Sequence, residues 1–308
     1  MSTSLTVQPP VKEPPLAVWL PLARPFTLTA TAVPVLLGGA LAAWDATFRL
    51  DRCIALLASA MLLQAATNML NEYFDYQRGL DTQDSVGIAG AIVHGRLSAG
   101  DVLRGALVTM TVALLFGLYL VAVAGLWLLP AAGVGGMAAW CYSGGPRPVS
   151  GTPFGELLVA LVLGPLLVGL GYAVHTGTLP GGVLLASLPV ACLVAAILLG
   201  NNLRDMEGDA ERGRRTFAIV FGRTSGLGLL AALLYGSFAL LILAVALGAA
   251  PAWALLGLAT LPLAPPVVRR FRATLAPIQL HPAVKGIARL HLLQGLLVAA
   301  GISIAALL

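Results

Sequence analysis

Two stretches decide how this sequence is read: Asn68-Met-Leu-Asn71-Glu-Tyr-Phe-Asp75-Tyr-Gln-Arg78-Gly-Leu-Asp81 and Asn201-Asn202-Leu-Arg204-Asp205-Met-Glu-Gly-Asp209-Ala-Glu-Arg212-Gly-Arg214-Arg215-Thr216. Each stands at the end of a long apolar run and repeats Asn-x-x-x-Asp. Four residues is just over one helical turn, so Asn71 and Asp75 point the same way, as do Asn201 and Asp205. Asp209 extends the second face by another turn. The two segments resemble halves of an internal duplication. Helices packed side by side would bring their carboxylates together across a small gap.

The rest of the chain says what kind of helices these are. Of 308 residues, 58% are hydrophobic and only 10% charged, where soluble domains carry about 25% charged residues. A water-soluble surface is excluded. Nine apolar runs fall at 24–46, 53–74, 103–124, 127–142, 155–174, 183–203, 226–248, 251–268 and 286–307, each near the ~20 residues of a spanning helix. Pro34 with Gly38 and Gly39, Pro165 and Pro189 interrupt several runs, which neighbouring helices in a bundle accommodate. The expected fold is an all-α integral membrane protein of about nine transmembrane helices. Residues 1–15 read as a Pro-rich, disordered cytoplasmic tail and 16–308 as a single transmembrane domain. The tail lacks the basic-then-apolar layout of a signal peptide.

All but two of the 18 basic residues, Arg49 and Arg52, lie in alternate loops. The positive-inside rule therefore puts the N-terminus and both motifs in the cytoplasm and, with nine spans, Leu308 outside. A net charge of +5 then serves topology and phosphate or anionic lipid, and no nucleic acid is implied. Cys53, Cys141 and Cys192 are far apart, and His94, His175, His281 and His291 are scattered. None has the spacing of a zinc site or a disulfide framework.

Nine of the thirteen acidic residues cluster in the two motif segments: Glu72, Asp75, Asp81, Asp84 and Asp101, and Asp205, Glu207, Asp209 and Glu211. Acidic residues contribute little to topology, and converging carboxylates resist burial unless a cation intervenes. Oxygen-only donors favour a hard ion, and Mg²⁺ characteristically takes one or two carboxylates together with substrate phosphate. Arg78, Arg147, Arg212, Arg214 and Arg215 are candidates to hold the outer oxygens of a diphosphate. The pair Arg214-Arg215 is favoured by its nearness to Asp209. Tyr142 is a candidate to stack on an aromatic acceptor.

These residues resemble the UbiA superfamily of intramembrane prenyltransferases along nearly the whole chain. Arg24-Pro25-Phe-Thr-Leu resembles the family's lead-in to its first helix. Tyr142-Ser-Gly-Gly-Pro146 followed by Gly155-Glu156, and the spacing Asp75-x-x-x-Gly79-x-Asp81, resemble its menaquinone branch, as do Gly213-Arg-Arg-Thr216 and Phe221-Gly222-Arg223. The resemblance implies helices around a central cavity. Asn71, Asp75 and Asp81 would serve one Mg²⁺ site and Asn201, Asp205 and Asp209 the other, with the four aspartates catalytic. Asn68 and Arg24 join the substrate-binding candidates. Two departures stand out: Glu72 where the family usually has Asp, and Arg214 where it often has Lys. The implied reaction moves a polyprenyl group from polyprenyl diphosphate to an aromatic acceptor of naphthoate type, at the cell (inner) membrane. Hydroxybenzoate, homogentisate, chlorophyllide and haem are the alternative acceptors. An ion-coupled transporter is the rival from another class, but its site would lie near the bilayer midplane.

Overall fold

The computed structural model describes residues 15–83, 85–86 and 89–308. All but the last residue of the expected 1–15 tail, and Asp84, lie outside the described residues. No strand occurs among them. A short helix α1 (Pro15–Ala23) leads into α2 (Pro25–Trp44), α3 (Leu50–Gln77), α4 (Ala99–Ala124) and α5 (Leu128–Ser143). Next come α6 (Gly155–Leu161) and α7 (Leu167–Thr176), joined through a π turn at Val162–Leu166. Then follow α8 (Gly181–Arg204), the short α9 (Met206–Glu211) and α10 (Phe217–Ala246). A 3₁₀ segment (Ala252–Leu263) runs into α11 (Ala264–Ala273), and α12 (Pro277–Leu307) closes the chain.

Among the described residues, eight helical segments are long and apolar enough to cross a membrane. The remaining apolar run forms α5, whose 16 residues span about 24 Å at 1.5 Å per residue, less than the ~30 Å hydrocarbon core. By length, eight of the nine expected spans therefore stand. Outward faces are apolar, as lipid requires: Leu107, Val108 and Leu115 of α4 are all exposed. The best-buried helix is α8, packed by α6, α10 and α12 around Leu193, Leu199 and Leu203.

The C-terminal ends of α3, α5, α8 and α11 and the N-terminal ends of α4, α6, α10 and α12 share one face, called here the motif face. Side chains tie those ends together. Arg78, just past α3, donates to the Ser143 and Gly145 carbonyls at the end of α5, at 2.7 and 3.0 Å. Arg223 donates to Leu203 O at the end of α8 (3.1 Å) and to Phe271 O and Thr274 O beside the end of α11 (2.9 Å each). The opposite face explains one of the two arginines that break the charge pattern. Arg52 donates to Val174 O near the end of α7 (2.6 Å) and Val123 O near the end of α4 (2.7 Å), two helix C-termini whose last carbonyls need donors.

Not every clustered acid awaits a cation. Ser98 and Asp101 form a capping box at the start of α4: Ser98 Oγ accepts from Asp101 N–H at 3.1 Å, and Asp101 Oδ2 accepts from the Ser98 hydroxyl at 2.6 Å. Glu72 is buried on α3 and accepts from the consecutive amides of Gly90, Ala91 and Ile92 at 3.2, 2.6 and 3.3 Å. Its charge is met by a nest of backbone donors. Glu72 and Asp101 are thus met within the protein, outside the aspartates expected at the cation sites.

Backbone-to-backbone packing relies on glycine where α2 meets α7. A Cβ on Gly38 would lie 2.4 Å from Val168 O and 2.6 Å from the Gly171 carbonyl carbon. Gly38→Ala should therefore cost about 1–3 kcal/mol and lower the melting temperature of the detergent-solubilised protein. Gly133→Ala, where an added Cβ meets nothing within 4 Å, should leave it unchanged or raised.

Candidate active site

The motif face closes over a cavity of about 910 Å³. Its mouth carries Arg24, Asp75, Asp81, Asp205, Asp209 and Arg214. Its depth is lined by apolar side chains from α3, α4, α5 and α7, including Leu56, Leu120, Val121, Leu128 and Leu167. Leu56 and Asp75 are both on α3, nineteen residues apart, so the cavity reaches about 28 Å below its charged mouth.

The two motifs meet through Arg214. Its Nη2 lies 3.5 Å from Asp75 Oδ1 and its Nη1 lies 3.4 Å from Asp209 Oδ2. All three side chains are at most one-fifth exposed. Local structure places them there. Asp75 occupies the last turn of α3. Past it, Gly79 takes a left-handed φ of 67° and turns the chain so that Asp81 comes back to the cavity. In the second motif the helix does not continue as expected: α8 ends at Arg204 and α9 restarts at Met206, with Asp205 at the break. The Asp209 N–H still donates to Asp205 O at 2.9 Å, which keeps both carboxylates at the mouth. Gly213, at φ 80°, then returns Arg214, whose N–H donates to Asp209 O at 3.0 Å.

Arginines and acidic side chains line the mouth together, and burial dominates the electrostatics. Burial, reinforced by the neighbouring Asp75 charge, pushes the Asp81 carboxyl up to about 7. Its Oδ2 is buried without a hydrogen-bond partner. Burial also raises Asp209, with Arg214 opposing. Burial acts against the Arg214 charge, but Asp209 and Asp75 outweigh it and hold the guanidinium above its ordinary pKa. An orphaned carboxylate oxygen coupled to the Asp75 charge, at a mouth lined, among the described residues, by no histidine or cysteine, fits a hard divalent cation. Among the described residues no three acidic, histidine or cysteine side chains converge on one point. An ion here would be held by one or two carboxylates and completed by a phosphate-bearing ligand.

The other expected residues separate into those at the mouth and those that build it. Arg24 sits between α1 and α2 in a left-handed conformation (φ 51°), unusual for a non-glycine residue. It lines the cavity, and its Nε is buried without a partner. Tyr142 lines the cavity too. Asn201 donates from Nδ2 to Ile197 O on its own helix at 3.1 Å, so its Oδ1 is the atom left for a ligand. Asn71 Oδ1 accepts from the Ser143 hydroxyl. Asn68 pins the α1–α2 corner, donating from Nδ2 to Ala23 O (2.9 Å) and Thr27 Oγ1 (3.2 Å). Arg78, Arg147 and Arg215 do not line the cavity. The Arg78 guanidinium binds the two α5-end carbonyls and lies 5.4 Å from the centre of the Phe74 ring, while Arg147 and Arg215 are exposed.

Two residues at the mouth lie outside the expected set. Arg204 is buried and grips Asp205 with both arms of its guanidinium, Nε to Oδ1 at 2.7 Å and Nη2 to Oδ2 at 2.6 Å. Its sequence signal was adjacency to Asp205, masked by the general excess of arginine in such loops. Asn202 lines the cavity and donates from Nδ2 to Glu156 Oε1 at 2.8 Å. The doubled Asn201-Asn202 was its only sequence sign.

The raised Asp81 carboxyl has a consequence for stability. Between the unfolded value near 3.8 and about 7, the folded metal-free chain binds a proton that the unfolded chain does not. Stability should therefore fall as pH rises through that window, by at most about 1.4 kcal/mol per pH unit. Melting temperatures of metal-free protein from pH 4 to 8 should show the decline, and Asp81→Asn should flatten it.

Comparison with known proteins agrees with this arrangement. A family model described as the UbiA prenyltransferase family matches residues 31–276. A 1,4-dihydroxy-2-naphthoate octaprenyltransferase of Bacillus subtilis is 37% identical over 295 residues, covering 96% of this chain and 95% of that one. A UbiA homolog from Aeropyrum pernix, solved in its apo form, superposes with a TM-score of 0.69 at 21% identity, covering 90% of this chain and 97% of that one. One from Archaeoglobus fulgidus, bound to GPP and Mg²⁺, gives 0.63 at 17% identity, with 92% and 99% covered. Since the family model covers most of the chain and the bacterial relative nearly all of it, this multi-pass membrane protein belongs to the UbiA prenyltransferase family.

Proposed function

We propose that the chain transfers a polyprenyl group from polyprenyl diphosphate to 1,4-dihydroxy-2-naphthoate, whose carboxylate leaves as carbon dioxide, in menaquinone biosynthesis. The observation that carries this is Arg214 spanning Asp75 and Asp209 at the charged mouth of a deep apolar cavity. The Bacillus subtilis relative's naphthoate activity supports the acceptor, and the Archaeoglobus fulgidus homolog's GPP and Mg²⁺ support the donor and the ion.

Asn71, Asp75 and Asp81, with Asn201, Asp205 and Asp209, would hold Mg²⁺ at the mouth. Mg²⁺ held there with the diphosphate would supply the positive charge that stabilises the leaving group when the allylic C–O bond breaks. Arg214 sits at loose contact distance from both aspartates, so its guanidinium can turn outward to the diphosphate oxygens without losing a tight pair. Arg24, with its unpartnered Nε, offers a second donor. The apolar walls receive the tail and exclude the water that would quench an allylic cation. The basic residues of the motif face support a cytoplasmic position for that face at the cell (inner) membrane, and α12, which starts there, would then leave Leu308 outside with the N-terminus inside.

Asp75→Ala or Asp205→Ala should each reduce formation of prenylated naphthoate at least about 100-fold in protein that still inserts and purifies as wild type. Pyrophosphate release should fall in step. Arg78→Ala should instead lower thermal stability more than turnover. Undiminished product formation after rigorous removal of divalent cations would defeat the reading.

A further inference from the structure

The polar groups at the cavity mouth divide by charge. On one side stand Arg24 and Arg214 with the aspartates, suited to a diphosphate and its counter-ions. On the other, Asn202 of α8 lines the cavity although only 6% exposed. Its Nδ2 is consumed by Glu156 Oε1 at 2.8 Å, so the amide orientation is set and Oδ1 is what remains for a ligand. Glu156, in the first turn of α6, is 5% exposed, and its Oε2 is fully buried with no hydrogen-bond partner. A buried carboxylate with one hydrogen bond and no cation is costly, and fixing an amide that faces the cavity gives it a use.

What the fixed amide leaves free selects the ligand. An acceptor oxygen at Asn202 gives nothing to a diphosphate or a second carboxylate and favours a hydrogen-bond donor. Tyr142 and Ser150 line the same cavity, and the Tyr142 hydroxyl lies within electrostatic reach of Arg214 and Asp75 as well as of Glu156, so an aromatic surface and small polar groups share the cavity with Asn202. We infer that Asn202 Oδ1 accepts a hydrogen bond from a ring hydroxyl of the aromatic acceptor, and that Glu156 is the positioning residue that holds the Asn202 amide in that orientation. This assigns the acceptor subsite and rests on the prenyl-transfer reading above.

The test uses the full chain purified in detergent, with two unreactive naphthoates as competitive inhibitors against the acceptor, one bearing a ring hydroxyl and one lacking it. In wild type the hydroxyl should improve the inhibition constant about tenfold or more. In Asn202→Ala that advantage should collapse toward one, with the acceptor KM raised about tenfold and the donor KM unchanged. Glu156→Met keeps the packing volume and removes the acceptor that fixes the Asn202 amide, so it should shrink the hydroxyl advantage while leaving the donor KM alone. A lost fold would move both KM values together. The inference is overturned if either folded variant keeps the full hydroxyl advantage, or if the donor KM rises in parallel with the acceptor KM. If the wild-type chain prenylates a different hydroxyaromatic, the naphthoate assignment falls while a collapsed hydroxyl advantage still supports Asn202. A wild-type chain that prenylates no hydroxyaromatic overturns both.

Discussion

Everything at the mouth of the cavity depends on charge compensation among groups that a bilayer-embedded bundle brings together at its rim. Asp75 and Asp209 come from segments more than 130 positions apart, and the Arg214 guanidinium lies between them. At 3.4–3.5 Å the contacts are long for charge-assisted hydrogen bonds, which favour about 2.7–2.9 Å. The arrangement holds the carboxylates near one another without satisfying them. Asp81 shows the remainder: an oxygen without a partner and a carboxyl pushed up to about 7. A folded chain that keeps this much unmet negative charge at a dry rim is prepared for cations and for the anion they carry.

The fold was largely legible in the sequence because each apolar run needs about the same length to cross a bilayer, and eight spanning segments fall on the expected runs. The Asn-x-x-x-Asp repeat placed Asp75, Asp81, Asp205 and Asp209 together because helical spacing and a shared bundle end leave little freedom. Which arginine serves which partner was not legible. Arg78 and Arg214 are each within a few residues of a key aspartate, yet Arg78 binds carbonyls at the end of α5 while Arg214 faces the acids. The difference lies in the turns at Gly79 and Gly213 and in what packs opposite, and local sequence does not encode that. Glu72 makes the same point. As a longer acid within the motif it suggested an influence on acceptor fit, but the carboxylate turns toward three loop amides.

Glu72 also bears on how Asp81 is held. The connection between α3 and α4 carries Asp81 over the cavity, and Glu72 anchors that connection at Gly90–Ile92, one helical turn from Asp75. The carboxylate that looks like part of the site is instead part of its frame. Its side chain is long enough to reach the three loop amides from α3 and leaves the cavity chemistry to the aspartates.

The two motifs, similar in sequence, are built differently, and the difference has a direction. In the first, Asn71 is engaged by the Ser143 hydroxyl from α5, and the chain turns at Gly79 before offering Asp81. In the second, Asp205 is gripped by the adjacent Arg204, the helix breaks there, and Asn202 is turned by Glu156 from α6. The second motif thus has a cation of its own in Arg204 and borrows a buried carboxyl from α6, so Asp209 meets Arg214 while Asn202 is held by Glu156. A reaction that must keep a diphosphate and an electron-rich ring apart until an allylic carbon passes between them needs such a division. A symmetric pair of acidic helix ends would bind two like-charged ligands equally well, and the divergence of the two halves is what lets one mouth hold two different substrates.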